Sequence, residues 1–161
     1  MKKKILVPVD FGPSCDRALR QARNISLKMD KDMHLIYVAE DHGTLFHHLS
    51  EKQLNAIKEG MRVKLEELAV KSEKIIGRPV TFEVVNGKPY QKILEAAKKT
   101  DPAFIVMGIN NHSEGEGSKT RIGSNTTRIV QSSKWPVLTV RDQVTCQNFR
   151  SILVPLDLSK E

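Results

Sequence analysis

The sequence predicts an α/β domain: an open, five-stranded parallel sheet with helices on both faces. Three observations carry this. Short, near-continuous apolar runs alternate with longer stretches in which apolar residues recur every three or four positions, and the alternation repeats four times. The short runs lack the apolar–polar alternation of a half-exposed strand, so they are strands covered on both sides. Turn or helix-capping residues punctuate the junctions between them. Strand–helix alternation with buried strands calls for parallel pairing and crossover helices.

Taken in order, Ile5 to Asp10 (ILVPVD) is the first strand. Pro8 cannot donate to a ladder, which puts it near the strand's end. Gly12, Pro13 and Ser14 form a turn, with Ser14 expected as N-cap and Asp16 in the first turn. Ala18, Ala22, Ile25 and Met29 give residues 14–29 one apolar face. MHLIYVAE from Met33 is the second strand, followed by a loop to Leu49. Ser50 to Gln53 has the form of a capping box. Leu54, Ile57, Met61, Leu65, Leu68 and Ile75 then predict a long helix that stops at Gly77. Residues 80–85 (VTFEVV) form the third strand, Asn86-Gly87 a turn, and Pro89 a favourable first position for the third helix, with Ile93, Leu94 and Ala97 on its buried face. Residues 103–108 (AFIVMG) are the fourth strand. A short helix from about Ser124 ends at Trp135-Pro136, and VLTV (137–140) is the fifth strand.

At 161 residues the chain has one domain's worth of core. Its 39% hydrophobic and 28% charged residues exclude wholesale disorder. No apolar run approaches the ~20 residues needed to cross a bilayer, and the basic start MKKK leads into too short a run for a signal peptide. With only Cys15 and Cys146 there is no disulfide framework, so the expected compartment is the cytoplasm. The formal charge is +7, but the cations are interspersed with acids and accompanied by few aromatics. That describes a solvated surface, and nucleic acid is not an expected partner. His42, His47 and His48 share a loop without a carboxylate or cysteine at ligand spacing, so no metal site is expected there. Cys15 lies near a helix start, where a thiol pKa can fall, but no second cysteine accompanies it.

Ile152 to Asp157 (ILVPLD) repeats the first strand, with proline and aspartate in register, at nearly a domain's distance. A repeat at that period implies tandem units. Residues 1–141 are then one domain, 142–150 a linker, and 151–161 the first strand of a second repeat. A lone apolar strand is unstable in water, so it is expected to dock, plausibly on a sheet edge.

In open parallel sheets ligands sit beyond the strand C-termini, where the strand order reverses. Two loops qualify: the one after Asp10, and residues 109–123. Gly108 permits close backbone approach. Gly123, Ser124, Asn125 and Thr126 open a helix whose free N–H groups suit an anion, with Lys119 and Arg121 nearby. A capped helix behind a polar loop has the same appearance.

ILVPVDFGPS, YVAE, NGKPYQKIL, IVMG and GSNTTRIVQSSKWPVLTV, in that order over residues 3–141, resemble a universal stress protein domain of the UspA type. The resemblance implies strand order 3-2-1-4-5, as in adenine nucleotide alpha hydrolase-like folds. It also implies a homodimer through the last strand and a regulatory role in stress response. Many members bind ATP through G-x2-G-x9-G-S/T. Gly108 and Gly123-Ser124 match its ends, but Asn111 replaces the second glycine and the following gap is eleven residues rather than nine. Asn111 places a side chain where glycine allows close approach, while tolerating the turn itself. The resemblance further implies that Asp10, preceded by Pro8 and Val9, and Val38 hold the nucleoside, and that Met107 precedes the phosphate loop. ATP or ADP is the candidate ligand, with magnesium as its candidate companion. A dimerising interaction module without nucleotide is the rival, and slow ATP hydrolysis a weaker alternative.

Overall fold

The computed structural model describes residues 3–40, 50–109 and 124–141. Five strands and four helices alternate through them: β1 (Ile5–Val9), α1 (Pro13–Met29), β2 (Met33–Ala39), α2 (Glu51–Ile76), β3 (Val80–Asn86), α3 (Pro89–Thr100), β4 (Phe104–Gly108), α4 (Ser124–Ser132) and β5 (Val137–Val140). The strands form one sheet in the order β3-β2-β1-β4-β5, with every pair parallel. Both the fold class and the strand order agree with the sequence-based expectation.

Period-two alternation divides the core. Ile5, Val7 and Val9 face a cluster with Cys15, Leu19 and Ala22 of α1 and Leu65 and Ala69 of α2. Leu6 faces the other side, where Ile36, Ile105 and Met107 pack with Ile93, Ala96 and Ala97 of α3 and Ile129 of α4. Both faces are apolar, which is why the strands lack a polar stripe.

Local chemistry sets the helix ends. Ser50 and Gln53 complete a reciprocal capping box, and Gly77 ends α2 in the left-handed conformation (φ 65°). Pro89 opens α3. At α1 the N-cap is Gly12 rather than Ser14: Pro13, whose ring fixes a helical φ, becomes the first helical residue and carries Ser14 inside. Ser14 is buried there. A polar bridge joins the two helices of one layer. Arg23 donates to Ser72 Oγ through Nε (3.0 Å) and Nη2 (2.9 Å), and that hydroxyl donates to the Leu68 carbonyl (2.6 Å).

The apolar stripe expected along α2 is only half used. Leu65, Ala69, Ser72 and Ile76 are its buried residues, whereas Ile57 and Ile75 are exposed. Length explains Ile57, in the first half: 26 helical residues span about 39 Å, against about 23 Å for the seven-residue strands β2 and β3; Ile75 adjoins the buried Ile76 and lies off the buried stripe. The sheet cannot cover the whole helix. Leu65→Ala should therefore cost about 2–5 kcal/mol, and Ile57→Ala no more than about 0.5 kcal/mol, in urea denaturation. Equal costs would contradict an α2 anchored only by its second half.

Candidate functional site

The strand order reverses between β1 and β4, because α1 carries the chain from β1 to β2 on one side and β4 enters on the other. The carboxyl edge there is the expected ligand position for this architecture. Several sequence-predicted residues converge on it. Asp10 follows β1, Val38 lies near the end of β2, Met107 and Gly108 end β4, and Ser124, Asn125 and Thr126 form the first turn of α4. Asn111 and Gly123 lie outside the described residues, as do Lys119, Arg121, the histidines of the 41–49 loop and the repeat at 151–157.

The described candidates divide between the two faces of the sheet. Val9 belongs to the α1/α2 cluster. Met107 belongs to the α3/α4 cluster, with Val38 packed against it. On α4, Thr126 is buried, while Ser124 is exposed and Asn125 half-buried.

Gly108 faces α1. A Cβ there would collide with the Ser14 carbonyl and come within 2.8 Å of Ser14 Cβ. The glycine is thus required by the seating of α1 on β4, independently of any ligand. This contact was not legible in the sequence, where Gly108 and Ser14 are far apart.

Asp10 is exposed, and its Oδ1 accepts from Gly12 N (2.9 Å), so its carboxylate braces the turn into α1. Between them Phe11 adopts φ 58°, a conformation that bulky side chains rarely enter. Its ring packs on Tyr37 at 5.3 Å between centroids and a 47° tilt. Sequence reasoning missed this ring pair at the mouth of the edge. Nothing in the letters marks a phenylalanine for positive φ.

Cys15 has the opposite character to a reactive helix-start thiol. It is 3% exposed. Burial pushes its pKa up to about 11. The backbone N–H groups of Asp10 and Phe11 oppose the rise, and the carboxylates of Asp10 and Asp16 add to it. Among the described residues, no three His, Cys, Asp or Glu side chains are grouped to hold a metal ion.

What the edge presents, among the described residues, is two exposed carboxylates, Asp10 after β1 and Glu40 after β2, the half-buried Val38, and the N-terminal turn of α4, where Ser124 is exposed and Asn125 half-buried. Free N–H groups and the helix dipole at that turn attract anions. Two expectations test the packing around it. Gly108→Ala should lower stability by about 1–3 kcal/mol with helix and sheet content retained; an unchanged melting temperature would contradict the Ser14 contact. Cys15 should resist iodoacetamide in the native protein and react once denaturant is added, as read by peptide mass spectrometry. Rapid native labelling would contradict its burial.

Comparison with known proteins places this architecture. The family model described as the universal stress protein family matches residues 1–141. Universal stress protein MJ0531 of Methanocaldococcus jannaschii is 28% identical over 142 residues, 86% of this chain and 82% of that protein. The solved structure of MJ0577 superposes with a TM-score of 0.75 at 24% identity, covering 89% of this chain and 98% of that one. A universal stress protein solved in complex with cAMP (TM-score 0.61, 18% identity, 87% and 97% coverage) and one from Archaeoglobus fulgidus solved with dAMP (0.58, 18%, 85% and 96%) share the fold. The match over residues 1–141 and the sheet order agree: this chain belongs to the universal stress protein family.

Proposed function

We propose that this domain binds an adenine nucleotide at the carboxyl edge of the sheet and serves a regulatory role in stress response. The observation that carries the reading is the placement of Asp10 after β1, Val38 near the end of β2 and α4 after β4, all toward the carboxyl edge of the sheet. The two relatives solved with cAMP and dAMP support adenine nucleotide as the ligand class. In this reading Pro8, Val9, Asp10 and Val38 hold the nucleoside. The segment from Met107 and Gly108 through Asn111 to Gly123, Ser124, Asn125 and Thr126 holds the phosphates, with magnesium where ATP or ADP is bound. The protein works in the cytoplasm as a homodimer through β5, and a second repeat begins at residue 151.

The rival reading is an interaction module of the same fold that does without nucleotide. One observation favours it: Gly108 is demanded by Ser14 whether or not a phosphate binds. Hydrolysis is a third, weaker reading, since Asp10, an exposed carboxylate at this edge, belongs to the nucleoside end.

Calorimetric titration with ATP, with Gly123→Val and Asp10→Ala as controls, decides between the first two. Binding weakened at least tenfold by either substitution is expected. Absence of heat at high micromolar ATP overturns nucleotide binding and leaves the interaction module. Phosphate release measured on a binding-competent protein then separates binder from enzyme.

A further inference from the structure

One face of α2 packs on the sheet. The opposite face carries a shallow groove that neither the core nor the nucleotide reading uses. Val63, Glu66, Glu67, Val70, Lys71 and Lys74 line it, and each is exposed. At about 3.6 residues per turn, Val63, Glu67, Val70 and Lys74 follow one another along a single stripe. That stripe lies about half a turn from the buried Leu65, Ala69, Ser72 and Ile76.

The two valines have no role in the monomer's core. Val63 is 43% exposed and Val70 47%. Valine is not a favoured helix former, because its branched side chain loses rotamer freedom against the preceding turn. Propensity therefore does not account for it on a solvent face. Single exposed apolar residues are ordinary, but these two stand on one stripe, framed by charges sorted by sign. The acids Glu66 and Glu67 occupy the first half of the groove and the bases Lys71 and Lys74 the second. Glu66 is tied to Arg62 at 3.3 Å. Glu67 and Lys71 have the spacing of an intrahelical pair. Even so, among the described residues Glu67, Lys71 and Lys74 make no ion pair.

This order of charges is self-complementary in one direction. The lining positions are symmetric about the midpoint between Glu67 and Val70. A second α2 related by a two-fold axis through that midpoint runs antiparallel. It sets Glu66 against Lys71, Glu67 against Val70, and Val63 against the aliphatic stem of Lys74, each twice. A parallel copy would set acids on acids and bases on bases. A partner of uniform charge would gain at one half of the groove and lose at the other.

We propose that the outer face of α2, from Val63 to Lys74, is a contact surface for a second copy of this chain, packed antiparallel so that the acidic half of each helix meets the basic half of the other. The contact spans about 17 Å of helix. That is too little area for a permanent dimer, so the association is weak, reversible and sensitive to salt. It does not involve β5. Where copies also pair through that strand, the α2 contact joins such pairs into a larger assembly.

The test uses the full chain labelled with 15N. Dilution from about 1 mM to about 10 μM, the range in which weak contacts dissociate, should shift the amides of residues 63–74. Raising the salt to about 0.5 M should weaken the association several-fold. Val70→Ser, at an exposed position, should weaken it with helix content retained. Glu66→Lys with Glu67→Lys reverses one half of the groove and should weaken self-association at least tenfold. Adding Lys71→Glu and Lys74→Glu to the same chain reverses both halves and should restore it, an outcome that a damaged fold would not give. Amides of 63–74 that do not move on dilution would overturn the proposal and leave any association to another surface. So would association indifferent to the reversal of one half, or a full charge exchange that fails to restore it.

Discussion

The absence of a side chain at Gly108 is the constraint on which the candidate site depends. The first turn of α1 rests on the end of β4 at a distance that no Cβ allows. Once α1 is seated there, the chain must leave β1 and enter the helix within three residues, Asp10 to Gly12. Phe11 takes a left-handed conformation to make that turn, steadied by Tyr37 on one side and by the Asp10 carboxylate on the Gly12 amide. Non-glycine residues at positive φ carry a cost of about 1–3 kcal/mol, and here the surrounding packing holds the residue in place. The same seating buries Cys15, which turns a helix-start thiol from an activated group into a core residue.

This arrangement gives the two faces of the carboxyl edge different tasks. On the α1 side, Val9 and Gly108 meet the helix and close the sheet. On the α3/α4 side, Met107 shares an apolar cluster with Ile129, and Val38 packs against it. Substitutions at Gly108 therefore act first on α1 packing, and a loss of ligand binding there would not by itself identify a phosphate contact. Asp10 combines both roles, since the carboxylate that braces the turn is also an exposed acid at the edge.

Most of the fold was legible because its signals are local. The capping box at Ser50 to Gln53, Gly77 as a left-handed stop, Pro89 at a helix start and the doubly buried strands all act through near neighbours in the chain. The strand order was not legible from periodicity and came through family resemblance. What failed depended on distant contacts. Ser14 has the chemistry of an N-cap, but Pro13 starts the helix one residue earlier and buries it. Ile57 follows the spacing of a core stripe, but the sheet is too short to cover all of α2, and at the other end Ile76 rather than Ile75 is the buried residue. Near the candidate site, position along the chain is enough to put Asp10 after β1, Val38 near the end of β2 and α4 after β4. The partner of Gly108 and the conformation of Phe11 are tertiary facts with no sequence signature.

The two ends of the sheet show how burial changes what a polar side chain can do. At the carboxyl edge, Asp10 and Ser124 stand in water, where a charge needs no partner and stays available to a ligand. At the amino end, His34 and Thr81 are committed to each other and to flanking charges of opposite sign. Burial of His34 makes an unmet hydrogen bond on its ring expensive, whereas the exposed Thr81 hydroxyl stays within reach of water. A polar group in water can bind, whereas one under a helix layer can only hold or release. In this domain β2 and β3 run between those regimes, from His34 and Thr81 at one end to Val38 and Asn86 at the other, joined residue by residue along one ladder.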